Sequence, residues 1–173
     1  MERVNLGRAN ELPPVDWEFV AERLESGARP DPAAHNAATT WLTTINPDGS
    51  PHVTPVGAIW MDGTFWFQTG DTRKRQNIER DPRCVISLSV RDADIVFEGR
   101  AMAVTDPDSV ARATEKWRAS GWPVEPDETG VGITAPFNAP AQGPPPWTVY
   151  VIEPRSAVVT LAIDPGGLTR FNF

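Results

Sequence analysis

Cysteine and histidine are nearly missing from this chain. Cys84, His35 and His52 are the complete supply in 173 residues. One cysteine forms no intramolecular disulfide, which fits a reducing, cytoplasmic setting. Two isolated histidines and one thiol make no zinc site, so no metal is expected. His52 reads as a structural or surface residue. Cys84 reads as a small core residue, because Arg83 beside it points to the opposite face of a strand. Positive charge is also short: 16 Lys+Arg stand against 23 Asp+Glu, a net charge of −7. That balance argues against a nucleic-acid binder, which needs a basic surface to neutralise phosphates. Apolar runs are too short to span a bilayer, and the opening residues are expected to carry no secretory signal. There is no G-x-S-x-G elbow, no Ser–His–Asp order, no G-x-G-x-x-G and no G-x-x-x-x-G-K-[ST], so the hydrolase, dinucleotide and P-loop readings fall. No internal repeat is present.

What the chain does have is punctuation, with 18 prolines and 13 glycines. Short segments and frequent turns follow from that, in a single soluble domain large enough for a core. Met1–Pro14 reads as an irregular arm. Trp17, Val20, Ala21 and Leu24 then fall at i, i+3, i+4 and i+7, one face of a short helix that Ser26-Gly27 and the Pro30–Asn36 segment end. From Ala38 the period changes to two, and a strand stops at the turn Asn46-Pro47-Asp48-Gly49. His52–Met61 reads as the returning strand, interrupted at Pro55 and Gly57. Asp62-Gly63 is a tight-hairpin dipeptide, and Thr64–Thr69 is its aromatic partner strand.

Asp71 or Thr72 is expected to cap a helix through Arg80. Arg83–Val90 and Ile95–Val104 read as strands turning at Asp92-Ala93-Asp94, followed by a helix from Asp106 to Ser120 with Gly121 as its stop. Val124–Pro146 is expected as a long loop of functional or partner-contacting type. Thr148–Ile152, Ser156–Ile163 and Thr169–Phe173 complete a mostly β domain, and closure into a barrel would remove its edges.

The chemistry concentrates at Arg73-Lys74-Arg75. Cations in the first turn of a helix, after a hairpin, suit an anion held by backbone N–H groups and the helix dipole. Three successive helical residues splay around the axis, so Arg73 and Lys74 are the expected anion ligands. Arg75, four residues before Glu79, is the spectator. The seven tryptophans belong mainly to core or interface, with Trp41, Trp60 and Trp66 beside the proposed cofactor strands.

Asn46-Pro-Asp-Gly-Ser-Pro-His-Val-Thr-Pro-Val56, Gly70-Asp-Thr-Arg-Lys-Arg-Gln-Asn-Ile78, Asp81-Pro82-Arg83, Val96-Phe-Glu-Gly-Arg-Ala101 and the closing Thr169-Arg-Phe-Asn-Phe173 stand in order along the chain. In these the chain resembles the pyridoxamine 5'-phosphate oxidase-like split β-barrels, and within them the actinobacterial flavin/deazaflavin oxidoreductases. The resemblance implies a mostly β (α+β), FMN-binding-like split barrel with a few short peripheral helices. It divides the chain into an arm and helix (1–37) and a cofactor-binding barrel (38–173). It also implies a homodimer with sites at the subunit interface. Thr54, Pro55, Val56 and Gly57 would lie along the cofactor ring. Thr69, Gly70, Thr72, Arg73, Lys74 and Asn77 would surround its phosphate, and Trp147 would reach in from the other subunit.

The Thr-Arg-Lys-x-x-Asn form looks like the branch that uses coenzyme F420. The implied activity is hydride transfer between the reduced deazaflavin and a small hydrophobic, conjugated or quinone-like acceptor, with no evident general acid among the residues. The alternatives are an FMN-dependent oxidase or reductase on the same fold, and a non-catalytic carrier of F420, flavin or haem. A split barrel without cofactor, acting as an interaction module, is a further one.

Overall fold

The protein is described here by a computed structural model covering residues 1–31, 33–34 and 39–173. His35, Asn36 and Ala38, where the loop before the first predicted strand was expected to end, lie outside the described residues.

The first segment is not the irregular arm that its composition suggests. Strand β1 (Glu2–Asn5) pairs antiparallel with the C-terminal strand, and a short 3-10 turn over Arg8–Asn10 follows. Helix α1 (Trp17–Ser26) starts where Asp16 accepts from the Glu18 N–H at 3.3 Å, and ends at Gly27 in the left-handed region. Its Val20 and Leu24 are buried, as the periodicity requires. Strands β2 (Thr40–Ile45) and β3 (Pro51–Val56) pair across the Asn46–Gly49 turn. Pro55 stays in that ladder, opposite Trp41, so the interruption falls at Gly57-Ala58 alone. Beyond it, β4 (Ile59–Met61) and β5 (Thr64–Thr69) form a hairpin with φ of 53° at Asp62 and 75° at Gly63, as a primed turn demands.

Helix α2 (Arg73–Arg80) leads to β6 (Arg83–Val90) and β7 (Ala93–Ala103). Their turn sits one residue earlier than expected, with Asp92 at φ 69° and Ala93 already paired with Val90. Helix α3 (Pro107–Ala119) opens on Asp106, which accepts from the Ser109 N–H at 2.9 Å. The expected long loop contains a small hairpin, β8 (Glu125–Pro126) and β9 (Gly132–Thr134), the latter paired with the start of β10 (Trp147–Leu161). Strand β11 (Gly167–Asn172) ends the chain.

The two strands expected at 148–152 and 156–163 are one. Strand β10 continues through Pro154 by a bulge, with Pro154 opposite Gly99 and Ser156 opposite Glu98. Along its other edge β10 pairs first with β5 and then, past the bulge, with β11. That fork splits the sheet. The strand order is β1-β11-β10-β7-β6-β2-β3, with β4 and β5 branching from β10, and it does not close. The mostly β split barrel implied by the resemblance is thus what the chain forms, and the sheet keeps its edges because it stays open. Gly99 permits the crossing, since a Cβ there would stand 2.4 Å from the Glu153 carbonyl oxygen.

Two cores result. One lies inside the barrel and joins Leu42, Phe65, Phe67, Ile86, Phe97 and Phe171 to α1. The other joins Trp66, Ile133, Trp147 and Val149 to Val110, Ala113 and Trp117 of α3. Strand β5 is thus buried on both faces, which explains its run of aromatics. No helix among the described residues is long and apolar enough to cross a membrane.

Candidate functional site

The β5–α2 corner gathers the anion-binding candidates. Thr72 stands at the N-cap position, but its hydroxyl meets Thr69 Oγ1 at 2.8 Å instead of capping the helix. The first N–H groups of α2 therefore remain at the positive end of the dipole without a side-chain partner. Arg73 is exposed on that turn. Its charge adds to the Ser50 hydrogen bonds that hold Asp48 below the usual carboxylate range. It also adds, with Lys74, to the burial that pushes His52 down.

The other candidates at this corner face inward. Lys74 is buried, and its Nζ donates to the Ala141 carbonyl; burial pushes its pKa down to about 8. The Gly70 N–H donates to the Gln142 carbonyl at 2.9 Å. A Cβ on Gly70 would stand 2.8 Å from the carbonyls of both Gln142 and Pro144. A turn of the proline-rich segment, closed by Gly143 N–H to Ala139 O at 2.9 Å, thus straps the corner. Asn77 is buried too, donating to Thr44 Oγ1 at 3.1 Å and Asn46 Oδ1 at 3.2 Å, which ties α2 to the β2–β3 hairpin. Arg75 pairs with Glu79 at 2.8 Å, the spectator's arrangement.

A second feature lies beside the strand break. A cavity of about 640 Å³ opens between the end of α1, Gly57–Trp60 and the C-terminal end of α3. Trp117 anchors one wall, its indole N–H donating to the Gly57 carbonyl at 3.0 Å. Trp60 anchors another, donating to Glu25 Oε1 at 2.7 Å. Between them, in the wall, is Gln68, 1% exposed. Neither Nε2 nor Oε1 of Gln68 has a hydrogen-bond partner among the described residues. Nothing in the sequence reading singled it out. The available signal was a lone polar residue in Phe65-Trp66-Phe67-Gln68, where every neighbour on the strand is buried.

The sequence pattern described as pyridoxamine 5'-phosphate oxidase matches residues 32–155. The chain belongs to that family. No protein of curated function matches. A conserved hypothetical protein of Mycobacterium tuberculosis is similar in structure, with 24% identity and a TM-score of 0.57 over 83% of this chain and 82% of that one. An F420 reductase superposes with 22% identity and a TM-score of 0.51, covering 79% and 93%. An FMN-binding, pyridoxamine 5'-phosphate oxidase-related protein of Nostoc punctiforme gives 14% identity and 0.57, covering 90% of each. At these identities the likeness establishes the fold alone, the open, split barrel described above.

Within a pyridoxamine 5'-phosphate oxidase-type frame, the candidates sort by what they can reach. Thr54 and Pro55 lie on the outermost strand of their end of the sheet, Pro55 exposed; Gly57 sits at the cavity, and Val56 belongs to the core. Arg73 and the uncapped start of α2 present donors to solvent, a donor set whose chemistry fits a phosphate, with the Thr72 hydroxyl beside them bonded to Thr69. Thr69, Gly70, Lys74 and Asn77 are engaged within the chain. Trp147 is fully buried within its own chain. Its indole N–H donates to Gly143 O at 2.9 Å, and its ring stacks on Trp122 at 5.4 Å. Cys84 is buried and its thiol is pushed up to about 12, which removes it as a nucleophile at neutral pH.

Proposed function

We propose that this chain is an oxidoreductase that binds coenzyme F420 and passes a hydride between the reduced deazaflavin and a small conjugated or quinone-like acceptor. The observation that carries the reading is the α2 corner: an exposed Arg73 beside Thr72 on a helix start without a side-chain cap. In this reading the phosphate meets Arg73, the Thr72 hydroxyl and the first N–H groups of α2. The ring lies against Thr54, Pro55 and Gly57. When bound, the cofactor supplies the hydride chemistry, and the chain supplies orientation and exclusion of water.

Thr69, Gly70, Lys74 and Asn77 shape this pocket from beneath, and Val56 supports it from the core. Lys74 faces the phosphate once the strap over it yields. Trp41, Val53 and Val96 are exposed apolar residues on one outer face of β2, β3 and β7, with Trp41 opposite Ser87 and Ser87 opposite Val96. Burial of that face against a second copy would bring two sites together in a cytoplasmic homodimer, with Trp147 close to the partner's site. The arm and first helix (1–37) then brace the barrel (38–173) through β1 and α1.

FMN use is the second reading, favoured by the FMN-binding neighbour of the same fold. Side-by-side tryptophan-fluorescence titration of cofactor-stripped protein with F420 and FMN separates the two. Selective F420 binding that weakens about tenfold or more in Arg73→Ala is expected, as loss of a charge-assisted contact. Selective FMN binding replaces the function. Unchanged affinity in Arg73→Ala overturns the phosphate assignment.

A further inference from the structure

A buried amide with two empty hydrogen-bonding positions destabilises a fold unless something fills them. Gln68 is such an amide, and it lies in the wall of the cavity beside the strand break. We infer that this cavity is a ligand chamber distinct from the phosphate corner, and that Gln68 selects flat conjugated molecules carrying an amide, lactam or imide edge. Resting on the oxidoreductase reading, that ligand is the hydride acceptor.

The chemistry follows from what the wall offers. A primary amide presents one donor side and one acceptor side, so its best match is a carbonyl beside an N–H, which completes both bonds at once. A ligand with a carbonyl alone leaves Oε1 of Gln68 without its partner, and a hydrocarbon leaves both atoms unmet. Flatness is set by Trp60 and Trp117, each held in place by its own indole hydrogen bond. Two of the charged groups at hand are already engaged. Glu25 takes the Trp60 N–H, and Arg23 pairs with Asp92 at 3.0 Å. Gln68 is the lining residue whose amide atoms are both buried and without a partner among the described residues, and to it falls the reading of a ligand's edge. The cavity, at about 640 Å³, has room for a bicyclic ring and its substituents.

Isoindolinone and phthalide test this, being near-identical flat bicycles in which a lactam N–H is exchanged for an ester oxygen. Tryptophan fluorescence should report isoindolinone binding about tenfold tighter than phthalide in the natural chain, the expected value of one buried hydrogen bond. In Gln68→Leu and Gln68→Met the two should bind alike, with thermal melts showing both variants folded. Equal binding in the natural chain, or a preference that survives both substitutions, overturns the role of Gln68.

The same titration on protein saturated with whichever of F420 or FMN it binds tells the sources of the edge apart. A preference retained beside the cofactor supports the acceptor chamber. Competition with the cofactor overturns it and makes the cavity the ring's own seat. A Gln68-dependent preference in a protein that binds neither cofactor overturns the oxidoreductase reading while leaving the chamber standing.

Discussion

Replacing Gln68 by leucine should stabilise the protein, although a buried side chain is being shortened. The side chain is 1% exposed and both amide atoms lack partners among the described residues. An unpaired buried amide costs about 1–3 kcal/mol relative to water. Leucine removes that cost and keeps most of the volume, at the expense of a small void worth about 1 kcal/mol or less. The balance is a gain of about 1–2 kcal/mol. For a chain of this length each kcal/mol moves Tm by about 2–4 °C, so a rise of roughly 2–8 °C is expected.

Calorimetry on the ligand-free protein reads it directly, with Gln68→Met as the volume-conserving companion. A fall in Tm in both variants would refute the reasoning, because it would mean the amide already has its partners. Gln68→Glu gives the opposite sign, since the same position would then bury a carboxylate without a counter-charge. Stabilisation on removing a polar side chain is also what a residue kept for ligand recognition should show.

Three further outcomes follow from the geometry. Lys74 is held down from 10.5 to about 8, so between those values the unfolded chain carries a proton that the folded chain lacks. Stability should therefore fall by up to about 3 kcal/mol as pH drops through that window and level off below pH 8, and Lys74→Met should flatten the slope in urea denaturation. Gly99→Ala would drive a methyl to 2.4 Å from the Glu153 carbonyl oxygen and 2.9 Å from Ile152 Cγ2. A loss of about 1–3 kcal/mol is expected, and a loss under about 0.5 would mean the β7–β10 crossing is not tight. Cys84, pushed up to about 12 by burial, should resist an aromatic disulfide reagent at pH 8 until denaturant is added; rapid reaction of the native protein would contradict that burial.

Local chemistry made much of the fold legible. Asp62-Gly63 and Asn46–Gly49 specify their own turns, and Asp106 specifies a helix start, because each interaction spans only a few residues. The misread elements depend on partners far along the chain. Pro154 looks like a strand terminator until Gly99 lets a bulge carry β10 past it. Glu2–Asn5 has no strand signature strong enough to see without β11, about 170 residues away in sequence, as its partner. The cation triplet was legible as the first turn of a helix, but which way its members face was only partly so. Arg75 and Glu79 follow helical spacing, whereas the Ala141 carbonyl that takes Lys74 comes from a turn 67 residues later.

The two candidate features share one strand, and that links them physically. Gln68 and Thr69 are consecutive on β5, and Thr72 begins α2 just beyond Gly70 and Asp71. Even fully extended, four residues span only about 13 Å, so the orphaned amide and the uncapped helix start are neighbours. The strap enforces this closeness. Gln142 accepts from the Gly70 N–H and also lines the cavity, and Ala139 closes the same turn and lines it too. A phosphate drawing Lys74 away from the Ala141 carbonyl would loosen that turn and so reshape the cavity wall. Occupancy of the anion corner should then change the affinity for a lactam at Gln68, and by linkage the lactam should change phosphate affinity by the same factor. Equal lactam affinity with and without inorganic phosphate, at concentrations where phosphate is shown to bind, would mean that the strap is rigid and that the corner and cavity act independently.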